Sequence, residues 1–196
     1  MALKDQVFDM HDLISEMVED IDALYTAFIY GNLKVADEVH ARVEKAEDRI
    51  SALTEGIVAA KAGEPRASLY VGVPAHIGRI GDGLSRISES ITSKIKGEVL
   101  FSDKATGELD YLFGRTRDIL VNARDMILAP NTLVARHMAE SALAVERMAD
   151  EYSTLHEERL IEGLCTPKAS QMYLQMLDAF KTISWHSKEL AKDLGG

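Results

Sequence analysis

The 196-residue sequence predicts an all-α fold, a six-helix elongated bundle made of two three-helix repeats. Three observations carry this prediction. Large apolar residues recur at steps of three and four along almost the whole chain, the spacing that gathers them on one face of a helix. The segments that break this period are short and hold Gly, Pro and Asn. The second half of the chain, laid over the first, matches it turn to turn and apolar seam to apolar seam.

The first helix is expected over 4–30, where Val7, Met10, Ile14, Met17, Ile21, Leu24 and Phe28 form one stripe. Gly31-Asn32 ends it, because glycine accepts the left-handed backbone that closes a helix. The second helix follows at once and runs to about residue 61, with Val35, Val39, Val43, Ala46, Ile50, Leu53 and Ile57 as its seam. So short a connection folds the pair antiparallel. Gly63-Glu64-Pro65 closes the second helix, and the third is expected over 66–96, with Pro74 either kinking it or marking its true start. Its central run, AHIGRIGDGLSRISE at 75–89, sets Ile77, Ile80, Leu84 and Ile87 on one buried face that continues to Ile91. Gly78, Gly81 and Gly83 interrupt this helix at a cost of roughly 1 kcal/mol each relative to alanine. Close packing of a neighbouring helix is the expected offset.

The stretch 97–107, GEVLFSDKATG, lacks helical period and holds turn formers, so the boundary between the halves is placed there. Residues 1–97 form the first three-helix repeat and 98–196 the second, within one compact domain. Leu109, Leu112, Ile119, Ala123 and Met126 mark a fourth helix, ended by Ala129-Pro130-Asn131. A fifth follows through Val134, Met138, Ser141, Val145, Met148, Tyr152 and Leu155. Thr166-Pro167 begins the sixth with a capping hydroxyl and a first-turn proline. Its seam is Tyr173, Leu177, Phe180, Ile183, Leu190 and Leu194, with Phe180 and Trp185 expected to anchor the second core. A shift of 98 residues lays 27–50 over 125–148 without a gap, and a shift of 103 lays Ile77, Ile80 and Ile87 over Phe180, Ile183 and Leu190.

A net charge of −10 argues against a nucleic-acid backbone or an anionic membrane surface as the main partner. The single Cys165 can form no internal disulfide and stands in no metal-ligand spacing, which suits a reducing compartment, the cytoplasm. Acids within the first dozen residues are unlike a signal peptide, and no run has the apolar length of a membrane span.

The run HIGRIGDGLSRISE in the third helix, with the three-helix repeat around it, resembles the PhoU family of phosphate-uptake regulators. That family carries acid-Leu-Glu-Arg-Ile-Gly-Asp in its third and sixth helices, followed by a turn ending Ile-Ala-Glu. Arg79, Ile80, Gly81, Asp82, Ile87 and Glu89 match this run, while His76 and Gly78 stand where the family has acids. In the second copy, AFKTISWHSKELAKDL, only the apolar steps persist, with Lys181 in place of the glutamate and Trp185 in place of the aspartate. The resemblance implies a non-enzymatic cytoplasmic accessory protein of phosphate transport and phosphate signalling, without cofactor, that acts by protein–protein interaction. A transporter subunit or a sensor kinase is the implied partner, and self-association into a homodimer is left open. The same domain also serves as a regulatory attachment to other ion transporters and channels, so a regulatory subunit of that kind is the alternative.

Some members of the family hold metal clusters on carboxylate-x-x-x-carboxylate pairs of the second and third helices. This chain offers Glu44 and Asp48 on the second helix but only Asp82 on the third. In the other half Ala142, Lys181 and Trp185 leave Glu146 alone. No metal cluster is therefore expected, since three oxygen ligands without histidine or cysteine hold iron or zinc weakly. A metal-binding carboxylate bundle is the remaining alternative, but its Glu-x-x-His signature has a single relative here, Asp37 and His40. Cys165 has no base beside it in sequence and reads as a free thiol. The acidic run 16–22 reads as a solvated helix face, and Met138, Met148, Met172 and Met176 as core fillers.

Cutting the chain within 97–107 is expected to leave two fragments that each keep substantial helix by circular dichroism, because each half has its own seam. Complete unfolding of both, even when mixed, would contradict independent repeats.

Overall fold

A computed structural model describes residues 2–195. Within them the chain forms six α-helices: α1 (Leu3–Tyr30), α2 (Leu33–Ala60), α3 (Val73–Lys96), α4 (Asp103–Leu128), α5 (Thr132–Ile161) and α6 (Pro167–Gly195). The all-α expectation holds.

Local chemistry sets the ends. Gly31 at φ 67° and Gly163 follow α1 and α5 in the left-handed conformation that a side chain disfavours. Asn32 and Asn131 occupy equivalent turns of the two halves, and each side chain accepts a hydrogen bond from the first turn of the helix that follows. Ser102 caps α4 through the Ala105 amide, so the connection after α3 is shorter than the 97–107 stretch expected from turn formers.

The third helix begins at Val73, not at residue 66, and Pro74 lies in its first turn, where a missing amide proton costs no helical hydrogen bond. Pro74 thus marks the start, and Pro65–Tyr70 winds separately as a short 3₁₀ helix. That segment is tied down by the buried Tyr70, whose hydroxyl donates to the Ile127 carbonyl at 3.3 Å.

The central helices are α1, α3, α6 and α4, each packed on the next around a ring, with α2 laid against α1 and α3 and α5 against α4 and α6. One continuous apolar cluster fills the ring. The predicted stripes of α3, α4 and α6 are buried throughout. Each such leucine or isoleucine contributes roughly 1.5–3 kcal/mol by leaving water.

Two expectations fail in detail. Along α5 the inward residues after Val145 are Ala149 and His156, while Met148, Tyr152 and Leu155 are only partly covered. An α-helix drifts against a strict seven-residue seam, and over 30 residues that drift turns the next position inward. Trp185 is 46% exposed and anchors no core, because Ile183 and Leu190 take the inward face of α6.

The glycines of α3 mark close approaches. A Cβ at Gly83 would lie 2.5 Å from Ile183 Cγ1 and 3.3 Å from the Ala179 carbonyl oxygen of α6. Gly81 faces Val43 and Met17 in the same way, at 3.3 and 3.5 Å. The helix cost of these glycines is thereby offset by contact that a larger residue would prevent.

Ile80 has no exposed surface. Ile80→Asp should lower stability by roughly 4 kcal/mol or more, as an unpaired charge enters the core. Gly83→Val should cost roughly 2–3 kcal/mol by overpacking, whereas Gly114→Ala, which meets nothing within 4 Å, should gain up to about 1 kcal/mol. Chemical denaturation measures all three, and a neutral Ile80→Asp would contradict the helix phase.

Candidate functional site

The polar flanks of α3 and α6 meet along one side of the bundle. On α3, Arg79, Asp82, Arg86 and Glu89 follow one another at three- and four-residue steps beside the apolar stripe, so they line one edge of the helix. On α6, Asp178, Thr182 and His186 do the same. Because Gly83 lets the helices approach, these edges face each other across an open cleft of about 600 Å³. A second hollow of about 480 Å³, lined by Gln171, Leu174, Gln175 and Asp178, shares Arg86 and Glu89 with it.

Arg86 bridges the two edges, donating to Asp178 Oδ2 and Thr182 Oγ1, both at 2.6 Å. Arg79 donates to Asp82 on its own helix at 3.0 Å. At the upper end, His76 and His186 bring their Nδ1 atoms to 3.0 Å, and Asp193 lies 3.5 Å from His76 Nε2. Burial, then His76 and Arg79, push the His186 imidazole down to about 4. It is neutral at physiological pH. The cleft therefore presents guanidinium, carboxylate, hydroxyl and neutral imidazole groups along one rigid edge, chemistry suited to pairing with a polar partner surface.

The acids weighed for a metal cluster are spread apart in their roles. Glu44 faces His40 Nε2 at 3.6 Å, and His40 Nδ1 in turn lies 2.8 Å from Ser85 Oγ. Asp82 is held by Arg79, and Asp48 is exposed on α2. In the other half Lys181 pairs with Asp150 at 2.6 Å. Among the described residues no group of three or more His, Cys, Asp or Glu side chains is arranged to hold a metal ion.

The acidic run of α1 is not a uniformly solvated face. Asp20 is buried and ion-paired with Arg42 of α2, and burial outweighs that partner to raise its pKa. Glu16 takes Arg49 of α2, and Asp22 takes Arg117 of α4.

A second polar constellation had no signal in the sequence. Glu108 of α4 is 3% exposed and receives Arg159 of α5 through both oxygens, at 2.9 and 2.8 Å, with the Tyr173 hydroxyl of α6 at 2.5 Å. Burial acts to raise the Glu108 pKa, but Arg159, Tyr173 and Lys104 outweigh it and hold the carboxyl below its ordinary value. Burial and the Glu108 carboxylate together push the Tyr173 phenol far above its usual range. His156 stacks on Tyr173, ring centroids 4.5 Å apart, and turns Nδ1 toward Cys165 Sγ at 4.0 Å. Cys165 thus does have an imidazole beside it, brought there by the α5–α6 turn.

The arrangement of the six helices can be compared with known structures. The phosphate transport system regulatory protein PhoU from Streptococcus pneumoniae matches with a TM-score of 0.86, over 98% of this chain and 92% of that one, at 10% identity. PhoU from Pseudomonas aeruginosa matches with a TM-score of 0.76, over 97% and 92%, at 14% identity. The chain has the PhoU fold. No protein-family model matches the sequence, nor does any curated protein. Identity this low shows shared architecture alone. Relative to the PhoU run in α3, the apolar residues Ile80 and Ile87 are core, while Arg79, Asp82 and Glu89 line the cleft.

The Glu108–Arg159 pair sets a pH dependence. Glu108 holds its charge to lower pH in the folded than in the unfolded chain, so the stabilisation is complete above the ordinary glutamate range and is lost as pH falls through and below it. Glu108→Gln should cost roughly 3 kcal/mol at neutral pH, since Arg159, largely covered, is left without its counter-charge. Denaturation of both proteins from pH 7 to pH 3 should show that difference shrinking toward acid. A constant difference would refute the coupling.

Proposed function

We propose that this chain is a non-enzymatic regulator of phosphate transport and phosphate signalling, acting in the cytoplasm by binding a transporter subunit or a sensor kinase. The observation that carries the reading is the full-length agreement with a structure described as a phosphate transport system regulatory protein. The α3–α6 cleft supports it, because α3 keeps the Arg79, Ile80, Gly81 and Asp82 portion of the family run and presents its charged members along that cleft. No helix among the described residues is long and apolar enough to cross a membrane. Glu44, Asp48 and Asp82 act in this reading as surface and interhelical hydrogen-bonding acids, not as a metal cluster.

Deleting the coding sequence in its source organism and measuring uptake of radiolabelled phosphate tests the proposal. Uptake should lose its normal response to phosphate supply, and the wild-type chain should restore it. Arg86→Glu, which reverses the charge bridging the cleft, should fold but fail to restore it. Unchanged phosphate uptake, with altered uptake of another ion, would replace this reading with that of a regulatory subunit for the other transporter.

A further inference from the structure

The start of α1, the 3₁₀ segment Pro65–Tyr70 and the end of α4 enclose a groove of about 410 Å³ that shares no lining residue with the α3–α6 cleft. Leu3, Lys4, Val7 and Phe8 recur at the spacing of one helix face and form its α1 wall. Leu3 and Tyr70 are buried, whereas Phe8 and Leu128 keep 47% and 44% of their surface exposed. Two large apolar side chains are thus left open to water within one concave surface, an arrangement that marks ligand sites.

The charged groups of the lining are Lys4, Arg66 and Glu64. Neither Lys4 nor Arg66 takes part in any ion pair among the described residues. Lys4 Nζ stands 5.8 Å from the centroid of the Phe8 ring. Burial raises the pKa of the Tyr70 phenol and Arg66 opposes that rise, so the guanidinium lies close enough to act on this buried wall. Both cations therefore border the apolar surface.

We propose that this groove binds an anionic amphiphile, a medium-chain carboxylate whose tail lies against Phe8, Tyr70 and Leu128 and whose head pairs with Arg66 and Lys4. The inference is independent of the regulatory reading. The volume falls within the roughly 300–1,000 Å³ of small-ligand sites, and so does the character of the lining, mostly apolar with a few polar groups. Charge decides the head. The chain carries −10 overall, yet this lining sets two cations against the single carboxylate of Glu64. Arg66 offers a planar fork that matches both oxygens of a carboxylate, and Lys4 adds a mobile point charge. A cationic head would be repelled, and a neutral one would leave both cations without a counter-charge. The tail binds by covering the open surface of Phe8 and Leu128, with about a fourfold gain in affinity for each methylene buried.

The full chain at pH 7.5 is titrated with sodium decanoate and followed by calorimetry, and saturable binding of one decanoate per chain is expected. Octanoate, two methylenes shorter, should bind roughly 10-fold more weakly. Decanol, which keeps the tail alone, and acetate, which keeps the head alone, should each bind at least about 10-fold more weakly than decanoate. Arg66→Gln should weaken decanoate about 10-fold and Lys4→Gln several-fold, whereas Glu64→Gln should tighten it roughly twofold by removing the opposing charge. Lys45→Gln, on an exposed position of α2, should change nothing. Should the groove variants not fold, NMR of the wild type decides: decanoate methylene protons should give nuclear Overhauser contacts to the Phe8 ring. Absence of saturable binding, decanol binding as tightly as decanoate, unchanged affinity in folded Arg66→Gln and Lys4→Gln, or Overhauser contacts only at other parts of the chain would overturn the site.

Discussion

The approach of α3 to α6 at Gly83 governs much of the molecule. With no side chain there, the Ile183 side chain and the Ala179 carbonyl come within contact of the α3 backbone. Every polar contact across the cleft depends on that separation, since Arg86 reaches both Asp178 and Thr182, and His76 meets His186, only if the helix axes stay close. The same approach closes the ring of α1, α3, α6 and α4 around one apolar core. Gly83 therefore exchanges helix propensity for tertiary packing, a trade of roughly 1 kcal/mol against the much larger burial of the seams.

Polar groups between helices fall into two energetic kinds. Most of the ion pairs, such as Arg117 with Asp22 and Lys181 with Asp150, lie half-exposed, where water screens them and each contributes at most about 1 kcal/mol. Glu108 with Arg159 and Tyr173 is different, because Glu108 and Tyr173 are buried, the Arg159 side chain is only 15% exposed, and the three residues come from three helices. Such a group stabilises less than an apolar replacement of the same shape could, yet it penalises any register that leaves its charge unpaired. It therefore selects one alignment of α4, α5 and α6. In the other half the buried Asp20 pairs across α1 and α2 with Arg42, whose side chain is 46% exposed.

A bundle built in this manner offers rigid edges for recognition. The α3–α6 cleft draws its charged groups from two long helices whose opposite faces are locked in the core, so their spacing is held without any loop. Docking on a rigid edge of this kind loses little side-chain and backbone entropy. The resemblance to PhoU and the fold agreement meet in α3, where the apolar members of the run build the seam and the charged members build the edge.

The sequence by itself determined the helices, their antiparallel turns and most of the core, because those follow from a local period of apolar residues and from capping chemistry within a few positions. Val7 through Phe28, the α3 stripe from Ile77 to Ile91, the stop at Gly31-Asn32 and the cap at Thr166 needed no partner to be read. Only the tertiary structure decided that Pro74 begins α3, that Trp185 faces outward, and that the inward side of α5 shifts to His156. It alone brought His76 to His186, Arg86 to Asp178, and Glu108 to Arg159 and Tyr173. These depend on the rotation and separation of helices far apart in the chain, which are set by how side chains interlock across the interface and leave no period in the sequence.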